Sequence, residues 1–299
     1  MTSLARRLGL AAASVVLGAA LSCGGTKHPP PAGDRLGDAD AGAGRAPSLG
    51  GKDPWAAVPA CAQETQYVYV IDDGGTLRRF DPPTATFAVM GTLACPGDPF
   101  SMAIDRTAVA WVVFMDGRLA RVDTRSGSCV VTTFQAGQSG IQPVFGMGFS
   151  ASGAGSADET LFVASDAPEM LATIDTTSLR VAPIAPFDTV NARAELTGTG
   201  DGRLFAAFEG SPYVIAEIDR KNGHVITQAP LTGVSYPGNS SNFAFAFWGG
   251  DFFLFVGPGN ATDVFRYRPK DGTTTKVAAE SFAVVGAGVS TCAPITAPR

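Results

Sequence analysis

"AVVGAGVSTCAPITAPR", from Ala283 to Arg299, ends the chain. Chain ends usually fray, yet this one opens with alternating apolar and small residues and carries a cysteine, Cys292. Such a run reads as a strand whose partner lies elsewhere, and an internal repeat identifies the partner. The copies are "TLRRFDPPTATFAV" (76–89), "RLARVDTRSGSCVV" (118–131), "MLATIDTTSLRVAP" (170–183), "VIAEIDRKNGHVIT" (214–227) and "DVFRYRPKDGTTTK" (263–276). In the first four, apolar residues stand four and one places before an aspartate: Leu77 and Phe80 before Asp81, Leu119 and Val122 before Asp123, Leu171 and Ile174 before Asp175, Ile215 and Ile218 before Asp219. The fifth keeps Val264 and Tyr267 but has Arg268 in the aspartate's place. Intervals of about forty to fifty residues fit one four-stranded propeller blade per copy.

An apolar strand precedes every copy: "YVYVI", "VAWVVF", "TLFVA", "RLFAAF" and "FFLFV". Before four of these lies a further strand with small residues, "FSMAI", "FGMGF", "ELTGTG" and "FAFAF", suited to the crowded axis of a ring. The first copy lacks that strand, and the fifth is followed by a spare one, "GAGVSTC". The expectation is an all-β, five-bladed β-propeller over residues 59–295. Its C-terminal strand completes the first blade and removes an exposed sheet edge.

The N-terminus reads differently. Arg6 and Arg7 precede an apolar run from Leu8 to Leu21, too short to span a bilayer and laid out as an export signal. "ALSC" ending at Cys23 resembles a bacterial lipobox, with Ala20 where Leu is usual. The division expected is a lipoprotein signal peptide over 1–22 and a lipid-anchored flexible linker over 23–58, rich in Pro, Gly, Ala and Asp, with a reach of about 30 Å. Gly24 after the cysteine favours the outer membrane, facing the periplasm or the cell surface. "DADAG" in the linker lacks the downstream glutamate of a calcium loop.

Four cysteines remain beyond Cys23: Cys61, Cys95, Cys129 and Cys292. An even count in an exported chain reads as two disulfides, and the count alone allows three pairings. The clasp favours Cys61–Cys292, since Cys61 precedes the strand beside which Cys292 would lie, leaving Cys95–Cys129. No C-x-x-C pair suggests a thiolate metal site.

Composition and motifs exclude several functions. The net charge is −5 and no basic stripe stands out, which argues against nucleic acid. With two histidines, His28 and His224, a three-histidine metal site cannot form, and a Ser-His-Asp triad would need His224, at a turn between outer strands. Walker, H-E-x-x-H and G-x-S-x-G motifs are absent, and no organic cofactor is expected. The alternating Phe243, Phe245 and Phe247 could form a sugar-stacking face, but packing between blades explains them better.

The stretches "PFSMAIDR", "ELTGTGDGRLF", "FAFWGGDFFLF", "YRPKDGTTT" and "VGAGVSTCAP" together resemble an uncharacterised group of lipoproteins from myxobacteria. The resemblance covers most of the chain beyond residue 60. It implies export and a propeller-like domain, and it implies no activity.

Assigning loops by the repeat gathers carboxylates on one rim. Asp98, Glu195, Glu209, Asp72 and Asp116 are the candidate binding residues, with Asp73, Asp166, Glu169, Asp188 and Asp263 nearby. Arg193 is almost the only base assigned there, with Arg118 at the border. Turns favour aspartate for local reasons, but those do not explain the lack of balancing bases. The first expectation is therefore a membrane-displayed, monomeric, non-catalytic binding or scaffold module, whose acidic rim takes a cation such as Ca2+, a basic peptide or a polysaccharide. The alternative is a carboxylate-dependent glycoside hydrolase or lyase using Glu195 and Asp98. A purely structural envelope protein would have a plugged channel and no pocket.

Overall fold

The computed structural model describes residues 61–188, 192–234, 236 and 242–298. The proposed signal peptide, Cys23 and linker lie outside the described residues. Three strands open the ring: β1 (Val68–Asp72), β2 (Thr76–Asp81) and β3 (Thr86–Thr92). The second blade holds β4 (Pro99–Ile104), β5 (Val109–Phe114), β6 (Leu119–Asp123) and β7 (Cys129–Val131). The third holds β8 (Phe145–Ala151), β9 (Glu159–Asp166), β10 (Glu169–Ile174) and β11 (Val181–Pro186). The fourth holds β12 (Ala194–Gly198), β13 (Leu204–Phe208), β14 (Val214–Ile218) and β15 (Val225–Pro230). The fifth holds β16 (Asn242–Trp248), β17 (Asp251–Gly257), β18 (Thr262–Arg268) and β19 (Thr273–Glu280). The last strand, β20 (Val284–Val289), pairs antiparallel with β1, Val68 opposite Val289 and Asp72 opposite Val284. The fold is the five-bladed propeller expected, closed by its C-terminal strand.

Each pair of neighbouring blades encloses its own core, five in all. This explains why second strands such as "VAWVVF" are apolar throughout, since both faces meet a neighbour. In β1, Val68 and Val70 pack on the fifth blade, while Tyr69 and Ile71 pack on the second. Phe80 closes the first-to-fifth joint, its ring 5.4 Å from Phe253 and 5.3 Å from Phe255. Phe243, Phe245 and Phe247 are buried between the fourth and fifth blades with Phe205 and Phe252, so they pack and do not form an open stacking face.

The repeated aspartate is a turn device. Asp123 accepts from the Arg125 N–H (3.0 Å), Asp175 from the Thr177 N–H (3.0 Å) and Asp219 from the Lys221 N–H (2.9 Å). In the fifth copy Arg268 cannot accept, and Asp271 takes over by accepting from the Thr273 N–H at 3.1 Å.

Both expected disulfides form, Cys61–Cys292 with Cα atoms 5.7 Å apart and Cys95–Cys129 with Cα atoms 5.5 Å apart. The second sits where the end of one blade's outermost strand meets the outer hairpin of the next. Other joints use other chemistry at that place. Between the second and third blades, Gln138 donates to the Leu179 carbonyl (3.0 Å) and accepts from the Val181 N–H (3.3 Å). Between the third and fourth, Asp188 pairs with His224 and accepts from the Val225 N–H at 3.1 Å.

Candidate functional site

The innermost strands β4, β8, β12, β16 and β20 touch in cyclic order around the axis. Their approach demands glycine: a Cβ on Gly148 would lie 2.8 Å from the Leu196 carbonyl group of β12, and one on Gly286 would lie 3.0 Å from the Met102 nitrogen of β4. So close a wall leaves little room for side chains. Among the described residues of these five strands, one side chain is ionisable, Glu195.

Glu195 is 1% exposed. Its Oε2 accepts from the Ser101 hydroxyl of β4 at 2.7 Å, reaching past the intervening strand β8. Its other oxygen, Oε1, is buried without a hydrogen-bond partner. Burial pushes its pKa up to about 8, against the opposing pull of Arg193 and of the Ser101 hydrogen bond. At neutral pH the carboxyl therefore holds its proton in the channel.

The innermost strands all begin at one end of the axis, where they surround a cavity of about 460 Å³. Asp73, Asp98, Phe100, Met115, Arg193 and Asn242 line it. Arg193 lies over two aromatic rings, 5.2 Å from the centroids of both Phe100 and Phe243, with Glu209 3.9 Å from its Nη1. Asp166 feels the same guanidinium, but burial is the larger influence and raises its pKa. Four buried polar atoms in this region have no hydrogen-bond partner: Asp166 Oδ1, Arg193 Nε, Glu195 Oε1 and Asn242 Oδ1. Buried polar groups are nearly always satisfied, so such a concentration marks a place for water or ligand atoms.

The five candidate residues divide. Asp98 is exposed and lines the mouth, Glu195 lies in the channel and Glu209 faces Arg193. Asp72 is buried in its own hairpin, paired with Arg78 and accepting from the Thr76 N–H at 2.7 Å. Asp116 pairs with Arg118 at 2.6 Å within a turn. Of the neighbours named from the sequence, Asp263 is held by Lys276 and the Tyr236 hydroxyl, each at 2.7 Å, and Asp188 by His224 at the perimeter. Bases borne on outer strands thus balance part of the acidic rim. Among the described residues, no group of three or more His, Cys, Asp or Glu is arranged to hold a metal ion.

Sequence reasoning missed Ser101 and Asn242. Their signal is visible in hindsight: each is a lone uncharged polar group in an otherwise apolar stretch that begins an innermost strand.

Two of the other cavities share no lining residue with the mouth. One, of about 320 Å³, lies between the fourth and fifth blades, lined by Phe205, Phe252 and Tyr267 and bordered by the Arg203–Glu217 ion pair (2.7 Å). The other lies beside Cys61–Cys292 and is lined by Arg106, Asp201 and Thr291. Next to it Glu159 accepts from Thr291 Oγ1 (2.7 Å) and the Arg106 N–H (2.8 Å), while burial raises its pKa to about 7.

No family model and no curated protein matches the chain. Among solved structures, a chain from the "Crystal structure of Nidogen/Laminin Complex" aligns with a TM-score of 0.48 at 9% identity, over 74% of this chain and 97% of that one.

Proposed function

We propose that the protein is an exported, lipid-anchored propeller that binds a small polar ligand in the axial mouth bounded by Asp98, Arg193 and Asn242. The observation that carries this is a cavity of about 460 Å³ whose lining includes two residues with buried, unpartnered polar atoms, Arg193 Nε and Asn242 Oδ1. A cavity of that size suits a small molecule. The Cys23 lipobox and the two disulfides support export.

The hydrolase alternative draws on Glu195, because a carboxyl with a pKa near 8 is protonated as a general acid must be. Its burial and its hydrogen bond to Ser101 weigh against it, since a glycosidic oxygen needs direct access. Binding without turnover fits the enclosed carboxyl better.

A thermal-shift screen of small polar molecules tests the reading. A genuine mouth ligand raises Tm by mass action, and the rise disappears in Asp98→Arg, a change at an exposed position. If every stabilising molecule acts equally on that variant, the mouth is not the site.

A further inference from the structure

We infer that the axial mouth selects a ligand carrying a primary ammonium group with an oxygen acceptor nearby, the ammonium satisfying Asn242 Oδ1 and the carboxylates and the acceptor meeting Arg193 Nε. This rests on the mouth being the binding site.

Two of the unpartnered atoms belong to residues lining the cavity, the oxygen Asn242 Oδ1 and the donor Arg193 Nε. Asn242 Oδ1 can only accept, because its Nδ2 already donates to the Ala261 carbonyl (2.8 Å) and to Thr262 Oγ1 (2.7 Å). A matching ligand brings an N–H or O–H donor for Asn242 and an acceptor for Arg193.

Charge then favours an ammonium over a neutral hydroxyl compound. Asp73 and Asp98 stand at the lip, and Asp166, Glu195 and Glu209 gather about Arg193. One guanidinium serves four carboxyl groups besides the protonated Glu195. The innermost strands packed around Glu195 contribute no other titratable side chain among the described residues, so the deficit is not repaired from within the channel. An ammonium supplies the missing positive charge and three donors together.

Three sugars of one skeleton separate the contributions: glucosamine carries the ammonium, N-acetylglucosamine an amide and glucose a hydroxyl. Titration calorimetry at pH 7 reads the three affinities. Glucosamine is expected to bind at least about tenfold more tightly than the other two, as charge-assisted hydrogen bonds require. Asp98→Asn should weaken it several-fold. The inference is overturned if N-acetylglucosamine or glucose binds as tightly, if glucosamine does not bind, or if Asp98→Asn binds it as the parent does. A neutral ligand from the screen whose stabilisation is lost in Asp98→Arg would leave the mouth as the site while removing its preference for ammonium.

Discussion

Glu195→Gln should change how stability depends on pH. The parent carboxyl has a pKa near 8 in the folded protein and an ordinary value of 4.5 when exposed. Between those values the folded state holds a proton that the unfolded chain has released. The group's contribution is thus full below pH 4.5 and is lost as pH rises toward 8. Each pH unit in that window costs about 1.4 kcal/mol, so passage from pH 5 to pH 8 removes as much as about 4 kcal/mol. For a domain of this size that is roughly 10 °C in Tm. Glutamine keeps the shape and does not titrate. Glu159 and Asp166 slope the same way, but they remain in both proteins and largely drop out of the difference. Thermal melts of parent and variant at pH 5, 6, 7 and 8, at one ionic strength, give the comparison. The variant should match the parent near pH 5 and exceed it progressively toward pH 8. Parallel curves would refute the reasoning, because they would mean that Glu195 titrates alike in the folded and unfolded chain.

Other expectations follow from the ring. Gly148→Ala, whose Cβ would meet the Leu196 carbonyl group at 2.8 Å, should force β8 from β12 and cost about 1–3 kcal/mol or more, read from denaturant midpoints. Cys292→Ser should cost more than Cys129→Ser in the same assay. The bridges span 231 and 34 residues, which the loop-entropy account converts to about 5 against about 4 kcal/mol. Cys23→Ser should move the protein from the membrane to the soluble fraction on cell fractionation, and unchanged attachment would remove the lipid anchor from the account.

The fold was legible because its signals are local and repeated. Apolar residues placed four and one before Asp81, Asp123, Asp175 and Asp219 marked one strand per blade, and counting strands left β20 over as the partner of β1. The disulfides followed from that closure. The site was legible only in part. Asp98, Arg193, Glu195 and Glu209 came to one end because strand direction places them there. Which carboxylates stay available depends on contacts that no spacing reveals. Arg78 and Lys276 reach Asp72 and Asp263 from outer strands, and the twist of the blades brings Asp188 to His224 at the perimeter. The hydrogen bond from Ser101 to Glu195 joins residues 94 apart in sequence across the axis, and that separation hid it.

The most direct test of the central claim is to map the binding site by NMR, following backbone amide shifts during titration with glucosamine and with the strongest stabiliser from the screen. The account predicts that the shifts cluster at Asp98, Phe100, Arg193, Asn242 and Phe243, residues that line the axial mouth. Shifts concentrated instead at Phe205, Phe252 and Tyr267, between the fourth and fifth blades, would contradict it.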